Sequence, residues 1–210
     1  GFRIEIGHIG FFQLLMDKLD MQDSVREQVR LLIESKNYAA LNDALEQLGD
    51  TAESRALKEL PRLFGTKEVF SKAREVFDGE EFEQMLSYLE NIYDALTALG
   101  LEKQLIIDLG LVNRAEYYTG IVFQGYLEGC GDVVLSGGRY DKLAGQFGKD
   151  FAGAGFGINI DTVAKDLLKR QNCGITSPDV LVYACPGYEV KALQYLKRLV
   201  DEGKRAENYV

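Results

Sequence analysis

The hydrophobic pattern of the chain changes at Gly100, and this change constrains the fold most. From about residue 22 to residue 100, apolar side chains recur with helical spacing, as at Val25, Val29 and Leu32. After Gly100 the apolar runs have strand length and are separated by glycine-rich turns. The pattern therefore predicts a block of helices followed by a sheet.

A first strand precedes the helical block, because residues 2–7 alternate between apolar and polar side chains. Pro61 is expected to kink or shorten a helix inside the block. One strand, then helices, then several strands with short links predict an α+β fold, in which helices cover one side of an antiparallel sheet. The predicted strands of this sheet are residues 2–7, 105–109, 121–127, 133–135 and 154–160, and the short helices are 139–147 and 161–170.

A second domain is predicted near the end of the chain. Residues 180–184 have the pattern of a strand and 189–201 that of a helix, which is the start of a βαβ unit in an α/β domain. We expect domains at 1–172 and 178–210. The chain begins without methionine and has no closing element after the last helix, so we expect a fragment whose N-terminal part is missing.

Charge and composition exclude several classes of function. The net charge is −9, which opposes non-specific binding of nucleic acid. No apolar run reaches the ~18 residues of a membrane helix. The three cysteines lie far apart and predict neither a disulfide framework nor a zinc site, and Cys185 is expected to be buried. The single histidine, His8, is interpreted as structural. These features favour a reduced, cytoplasmic protein without metal or cofactor.

Polar and aromatic residues concentrate in two segments, 113–123 and 136–141. They combine cations, carboxylates, tyrosines and turn glycines beside an apolar strand, which suits a pocket for a small polar molecule. The glycines of 153–157 lie within a strand and lack Walker or Rossmann spacing. They are interpreted as allowing a ligand or a neighbouring backbone to approach the sheet closely.

These segments resemble the motifs of histidyl-tRNA synthetases. Residues 109–120 are similar to the first histidine-binding signature of that family, 137–141 to the second, and 155–161 to the third class II synthetase motif. The order matches along the whole chain, including a helical insertion at about 20–100. The resemblance implies a class II aminoacyl-tRNA synthetase-like antiparallel sheet with flanking helices.

Two departures from the family pattern affect chemistry. Asn113 stands where the synthetases carry the arginine that activates the substrate carboxylate, and Arg114 follows one place later, where a strand would point it to the other face. Asp161 and Thr162 replace a Glu-Arg pair whose arginine binds ATP phosphates. Fixed charges of this kind are each worth about 3–4 kcal/mol in a transition state. We therefore expect no catalytic residues.

The tyrosines of the family pattern are kept. By the resemblance, Tyr118 and Tyr140 line a pocket for the histidine side chain. The alternative is that these rings only fill a pocket that has lost its ligand. The other members of the predicted ligand-binding set are Asn113, Arg114, Glu116 and Tyr117.

A synthetase-like core without these cations resembles the regulatory-subunit family of ATP phosphoribosyltransferase. The resemblance implies a non-catalytic, allosteric subunit that assembles with a short catalytic subunit in the first step of histidine biosynthesis. It further implies self-association, feedback inhibition by L-histidine and no binding of tRNA. Two alternatives remain open at this point: a divergent histidyl-tRNA synthetase fragment that activates histidine with ATP, and a stand-alone interaction scaffold.

Overall fold

The protein is described from a computed structural model that covers residues 1–19, 21–112, 117–149, 151–171 and 177–209. The chain forms two compact units, Gly1–Ala164 and Lys165–Val210, and the division falls within a helix. Each unit is considered by itself. The predicted linker near 171–178 lies mostly outside the described residues, so the predicted domains 1–172 and 178–210 stay a prediction.

The first unit contains a six-stranded sheet. Its strands in spatial order are β2, β3, β1, β4, β5 and β6. Their bounds are β1 Phe2–His8, β2 Phe64–Gly65, β3 Leu105–Asp108, β4 Ile121–Leu127, β5 Val133–Arg139 and β6 Ala154–Ile158. All neighbouring pairs are antiparallel except β1 and β3, which run parallel. The predicted antiparallel sheet is confirmed except at this pair, which is parallel because the helical block forms a crossover between the two strands.

Six helices lie between β1 and β3. They are α1 Gly10–Lys18, α2 Asp23–Glu34, α3 Tyr38–Glu46, α4 Ala52–Glu59, α5 Glu68–Val76 and α6 Glu80–Ala98. Their apolar faces form the main core with Ile6 and Ile107 from the sheet, and Phe11, Leu57 and Leu89 are fully buried there. The helical prediction for 22–100 is confirmed. Helix α4 gives way to a short 3-10 turn, Leu60–Arg62, which contains Pro61 as expected from its missing N–H.

Strand β5 is longer than its apolar residues predict. It continues through Gly137 and Gly138 to Arg139, because β4 pairs with it on one side and β6 on the other. The prediction of a helix over 139–147 is therefore wrong at its start, and only a 3-10 turn, Ala144–Phe147, is formed. The predicted hairpin connection between β4 and β5 is confirmed, with Gly129 at a φ of 82°.

The second unit contains a βαβ arrangement. Strand β7, Val180–Tyr183, is followed by helix α8, Glu189–Asp201, and strand β8, Ala206–Tyr209, which pairs with β7 in parallel. The expectation that no element follows α8 is wrong, because β8 is short and polar and its pattern is too weak to indicate a strand. Helix α7, Ile160–Gln171, contains the division between the units.

The described ranges bear on three features discussed from the sequence: membrane helices, metal sites and cysteines. There, no helix is both long enough and apolar enough to cross a bilayer. The same ranges contain no group of three side chains that could hold a metal ion. Cys130 and Cys185 are free thiols, and Cys173 lies outside the described residues. Cys185 is exposed, so the prediction that it is buried is wrong; it follows β7 in a turn rather than within the strand.

A buried carboxyl lies where β3 ends. The side chain of Asp108 is 5% exposed. Burial raises its pKa to about 6, while Lys36 lowers the pKa and Glu5 raises it. The folded protein therefore favours the protonated form of Asp108 at pH values where an exposed carboxyl would be ionised.

We expect Asp108→Asn to change the pH dependence of stability. The pKa of Asp108 is higher in the folded state than in the unfolded chain, so its contribution is complete below about pH 4 and is lost as the pH rises through about 6. Relative to Asp108→Asn, the wild-type protein should lose on the order of 2 kcal/mol of unfolding free energy between pH 4 and pH 7. Urea unfolding across this range measures the difference, and Asp78→Asn at an exposed position is the control. A difference that does not vary with pH would contradict the assignment.

Candidate functional site

The candidate site lies on the face of the sheet opposite the six helices, where two glycines are paired on the neighbouring strands β5 and β6. Val122 on β4 pairs with Gly138 on β5, which in turn pairs with Gly155 on β6. Paired residues project from the same face of a sheet. Tyr118 and Tyr140 cover this row, and Tyr118 packs with Ile9 and Val122 in a small core of its own.

The glycines are required by the close approach of the tyrosine rings. A Cβ atom on Gly138 would lie 2.8 Å from the ring of Tyr118 and 2.6 Å from the carbonyl oxygen of Ile121. A Cβ atom on Gly153 would lie 2.7 Å from the ring of Tyr140, and one on Gly155 would lie 2.6 Å from its hydroxyl. The group that approaches Gly153 and Gly155 is the side chain of Tyr140 rather than the expected ligand or neighbouring backbone, and Gly157 has no atom within 4 Å of an added Cβ, so the prediction of close approach holds only in part.

Three tyrosines form one aromatic cluster. The ring centroids of Tyr117 and Tyr118 are 4.6 Å apart, and Tyr140 meets Tyr117 edge to face at 5.9 Å. Tyr118 is 6% exposed and Tyr117 is 42% exposed, so the cluster has a buried and an open end. A cavity of about 490 Å³ remains beside the rings. We call it the tyrosine pocket, and its lining is Tyr117, Tyr118, Ser136, Tyr140, Leu143, Gly155, Phe156 and Gly157.

Hydrogen bonds fix the segments that carry these rings. The N–H of Thr119 donates to the carbonyl of Arg139 at 2.9 Å, and the N–H of Asp141 donates to the hydroxyl of Thr119 at 2.9 Å. The N–H of Tyr140 donates to the carbonyl of Gly153 at 2.7 Å. The segments containing Tyr118 and Tyr140 are thus held together by backbone groups and by the hydroxyl of Thr119, without the use of either phenol.

The described part of the pocket wall suits an uncharged aromatic ring. Burial, the hydrogen bond with Tyr117 and the charges of Tyr117 and Tyr140 together raise the pKa of Tyr118 to about 12, and burial contributes most. Its phenol is therefore protonated at neutral pH and can donate and accept a hydrogen bond. Among the described lining residues, none carries a charge. This part of the lining can enclose a small planar ring but offers no cation to stabilise a phosphate.

The predicted site residues fall into two groups. The structure brings together three of them in the tyrosine pocket: Tyr117, Tyr118 and Tyr140. Their two segments are distant in sequence but are joined by the hydrogen bond between Asp141 and Thr119, which spans 22 residues. The predicted set also includes three residues outside the described ranges: Asn113, Arg114 and Glu116. Sequence reasoning did not single out Ser136, Leu143 or Phe156 as lining residues. Side chains alternate between the two faces along a strand, so Ser136 projects from the same face of β5 as Gly138. This alternation could have indicated Ser136 as a lining residue.

Three further residues that the sequence analysis discussed are not part of the tyrosine pocket lining: Asp161, Thr162 and His8. Asp161 and Thr162 occupy the first turn of α7, where the N–H of Thr162 donates to the side chain of Asn159 at 3.1 Å. Nδ1 of His8 accepts a hydrogen bond from the N–H of Gly10 at 3.1 Å. Burial lowers the pKa of His8 to about 4, so its ring is neutral at physiological pH. This geometry agrees with a structural histidine.

We expect Gly155→Ala to displace the hydroxyl of Tyr140 with little loss of stability. The new methyl group would meet only the far end of a side chain that can rotate away. The unfolding free energy should change by less than about 1 kcal/mol, because alanine also reduces the freedom of the unfolded chain. Near-ultraviolet circular dichroism and urea unfolding measure the two effects.

The matched control is Gly157→Ala on the same strand, where an added Cβ meets no atom within 4 Å. It should leave the tyrosine signal unchanged. Identical spectra for both variants would show that the Tyr140 hydroxyl does not lie over Gly155.

The fold and site together define a class of protein. A sheet in which a helical block connects β1 to the parallel strand β3 is the fold of a class II aminoacyl-tRNA synthetase-like domain. A family model described as histidyl-tRNA synthetase matches residues 1–163. The chain belongs to this family.

Curated relatives give a more specific comparison. A protein from Clostridium acetobutylicum is 38% identical over 98% of this chain and 52% of its own length. One from Clostridium kluyveri is 37% identical, with 98% and 54% covered, and one from Bacillus cereus is 33% identical, with 98% and 50% covered. All three are named ATP phosphoribosyltransferase regulatory subunit. The chain spans about half the length of the curated relatives it matches.

Solved structures confirm the predicted fold class. A Bacillus halodurans protein described as an ATP phosphoribosyltransferase regulatory subunit/histidyl-tRNA synthetase is 26% identical, with a TM-score of 0.70 over 99% of this chain and 53% of that one. Histidyl-tRNA synthetase from a Nostoc species is 23% identical, with a TM-score of 0.68 over 100% of this chain and 52% of that one. The second likeness concerns the fold alone.

Proposed function

We propose that this chain is part of a non-catalytic regulatory subunit of ATP phosphoribosyltransferase. The observation that carries the proposal is that curated relatives of 33–39% identity bear this name. The tyrosine pocket supports it, because the described lining offers an aromatic enclosure for a small ring. A synthetase needs fixed positive charge to stabilise the phosphate oxygens of an adenylate, whereas a sensor needs only to hold its ligand.

The ligand that we propose for the tyrosine pocket is L-histidine. Its imidazole ring would lie against the tyrosine cluster, and the phenol of Tyr118 or Tyr140 could donate to or accept from a ring nitrogen. The pocket's volume of about 490 Å³ is ample for one amino acid. Further proposed members of the site are Tyr117, Asn113, Arg114 and Glu116.

The proposed partner is a short-form catalytic subunit that acts in the first step of histidine biosynthesis in the cytoplasm. The regulatory subunit would be required for activity, would associate with copies of itself, and would transmit feedback inhibition through the hetero-oligomer. Histidine can act only if it binds one state of that complex more tightly than another. The net charge of −9 suits a protein without a tRNA surface.

We expect L-histidine to raise the melting temperature of the full-length protein. Ligand at a hundred times its Kd stabilises the folded state by about 2.7 kcal/mol, which is readily seen in a thermal scan. Tyr140→Ala should weaken histidine inhibition of the assembled enzyme much more than it weakens activation of the catalytic subunit. Equal loss of both would indicate that Tyr140 supports folding rather than ligand binding. A melting temperature that millimolar histidine leaves unchanged, with and without the catalytic subunit, would rule out the ligand.

The second candidate is a histidyl-tRNA synthetase, which the family match and the description of the Bacillus halodurans structure favour. Exchange of pyrophosphate into ATP in the presence of histidine separates the two functions. We expect no exchange above background, because Thr162 stands where the family resemblance places an ATP-binding arginine. Robust exchange by the full-length protein would replace the regulatory proposal with the catalytic one.

A further inference from the structure

Arg139 lies on β5 directly before Tyr140, on the opposite face of the sheet from the tyrosine pocket. Gly138 pairs with Val122, and the next position along each strand brings Arg139 beside Ile121. Ile121 in turn pairs with His8 on β1. The three residues form one lateral row on the helix-covered face. The backbone that carries Tyr140 into the pocket therefore also carries Arg139 towards the helices.

The guanidinium of Arg139 joins that row to helix α6. Its Nη1 donates to the hydroxyl of Tyr88 on α6 at 3.3 Å, across 51 residues of sequence. Its Nε donates to the carboxylate of Asp141 at 2.8 and 2.9 Å. Its aliphatic stem passes over Gly120, where an added Cβ would lie 3.5 Å from Cδ of the arginine. Arg139 thus contacts both chain segments that hold the tyrosine pocket and one helix outside it.

Tyr88 continues this series of contacts into the helical block. Its ring meets His8 edge to face at a centroid distance of 6.4 Å, and His8 meets the buried Phe11 in the same way at 6.0 Å. Tyr88 itself is 41% exposed and borders an open groove of about 450 Å³ between α1 and α6. Its side chain has space to move, so core packing does not fix it in one position.

We propose that Arg139 is a positioning residue that couples occupancy of the tyrosine pocket to helix α6 through its hydrogen bond with Tyr88. A ligand that binds Tyr140 fixes the end of β5, and the adjacent guanidinium then strengthens its hydrogen bond to helix α6. The coupling is reciprocal, so a change at Tyr88 alters affinity in the pocket. The inference rests on the proposed binding of L-histidine and adds the route by which the helical block responds.

The sharpest variant is Tyr88→Phe, which removes one hydroxyl and keeps the ring against His8. Hydrogen exchange of the full-length protein, with and without L-histidine, follows β5 and α6 separately. In the wild-type protein histidine should slow exchange in both elements. In Tyr88→Phe the slowing in α6 should disappear while that in β5 remains, and calorimetry should show about a threefold change in the Kd of histidine.

The matched control is Asp94→Asn. It removes an exposed ion pair of 2.8 Å between Lys67 and the same helix, far from Arg139 in sequence. The control should keep the histidine effect on α6 and the wild-type Kd. If the loss in Tyr88→Phe came only from a looser helix, Asp94→Asn would reproduce it, and that result would overturn the proposal.

The outcomes separate this inference from the function on which it rests. Protection of β5 without any change in α6 of the wild-type protein would overturn the coupling and leave the histidine pocket intact. A Tyr88→Phe variant that matches the wild-type protein in both measurements would do the same. No histidine effect anywhere, including no heat of binding, would overturn the pocket and the coupling together.

Discussion

The candidate site depends on one steric constraint, the contact of two tyrosine rings with bare backbone. Tyr118 and Tyr140 lie so close to β5 and β6 that side chains at Gly138, Gly153 or Gly155 would occupy the same space. Glycine normally weakens a strand, because it loses much conformational freedom on folding and contributes no side chain to packing. Here the phenol rings replace the missing side chains, and their faces become the wall of the pocket. The contacts between the tyrosine rings and the strands therefore require glycine at these positions and also determine the shape of the pocket.

The described wall of this pocket is aromatic and uncharged, which suits holding a small ring. The phenol of Tyr118 is protonated at neutral pH, so it can form hydrogen bonds without carrying a charge. Adenylate chemistry would require compensation of several negative oxygens, and the described lining has no group that could provide it. A regulatory pocket has a smaller requirement, since a differential affinity of 1–3 kcal/mol between two states is enough for effective control.

Much of this could be predicted from sequence, and the failures have identifiable physical causes. The helical block follows from apolar periodicity, since each helix must bury one face, and the tyrosine cluster follows from motif order. The extension of β5 through Gly137 to Arg139 could not be predicted, because a glycine pair has no strand propensity and the strand exists only through pairing on both sides. Parallel pairing of β1 with β3 and the presence of β8 likewise depend on partners distant in sequence. The contact between Arg139 and Tyr88 arises from tertiary packing and has no local pattern.

The parallel pairing of β1 and β3 also has a consequence for how the chain folds. Ile4 is paired with Leu105, and the whole helical block lies between them. Joining two such distant strands in an unstructured chain would be entropically costly and slow. Helices α1 to α6 bury most of the main core, so their condensation would bring the ends of the block together. The block would then act as a folding template for the centre of the sheet, and the tyrosine pocket on β4 to β6 would be completed last.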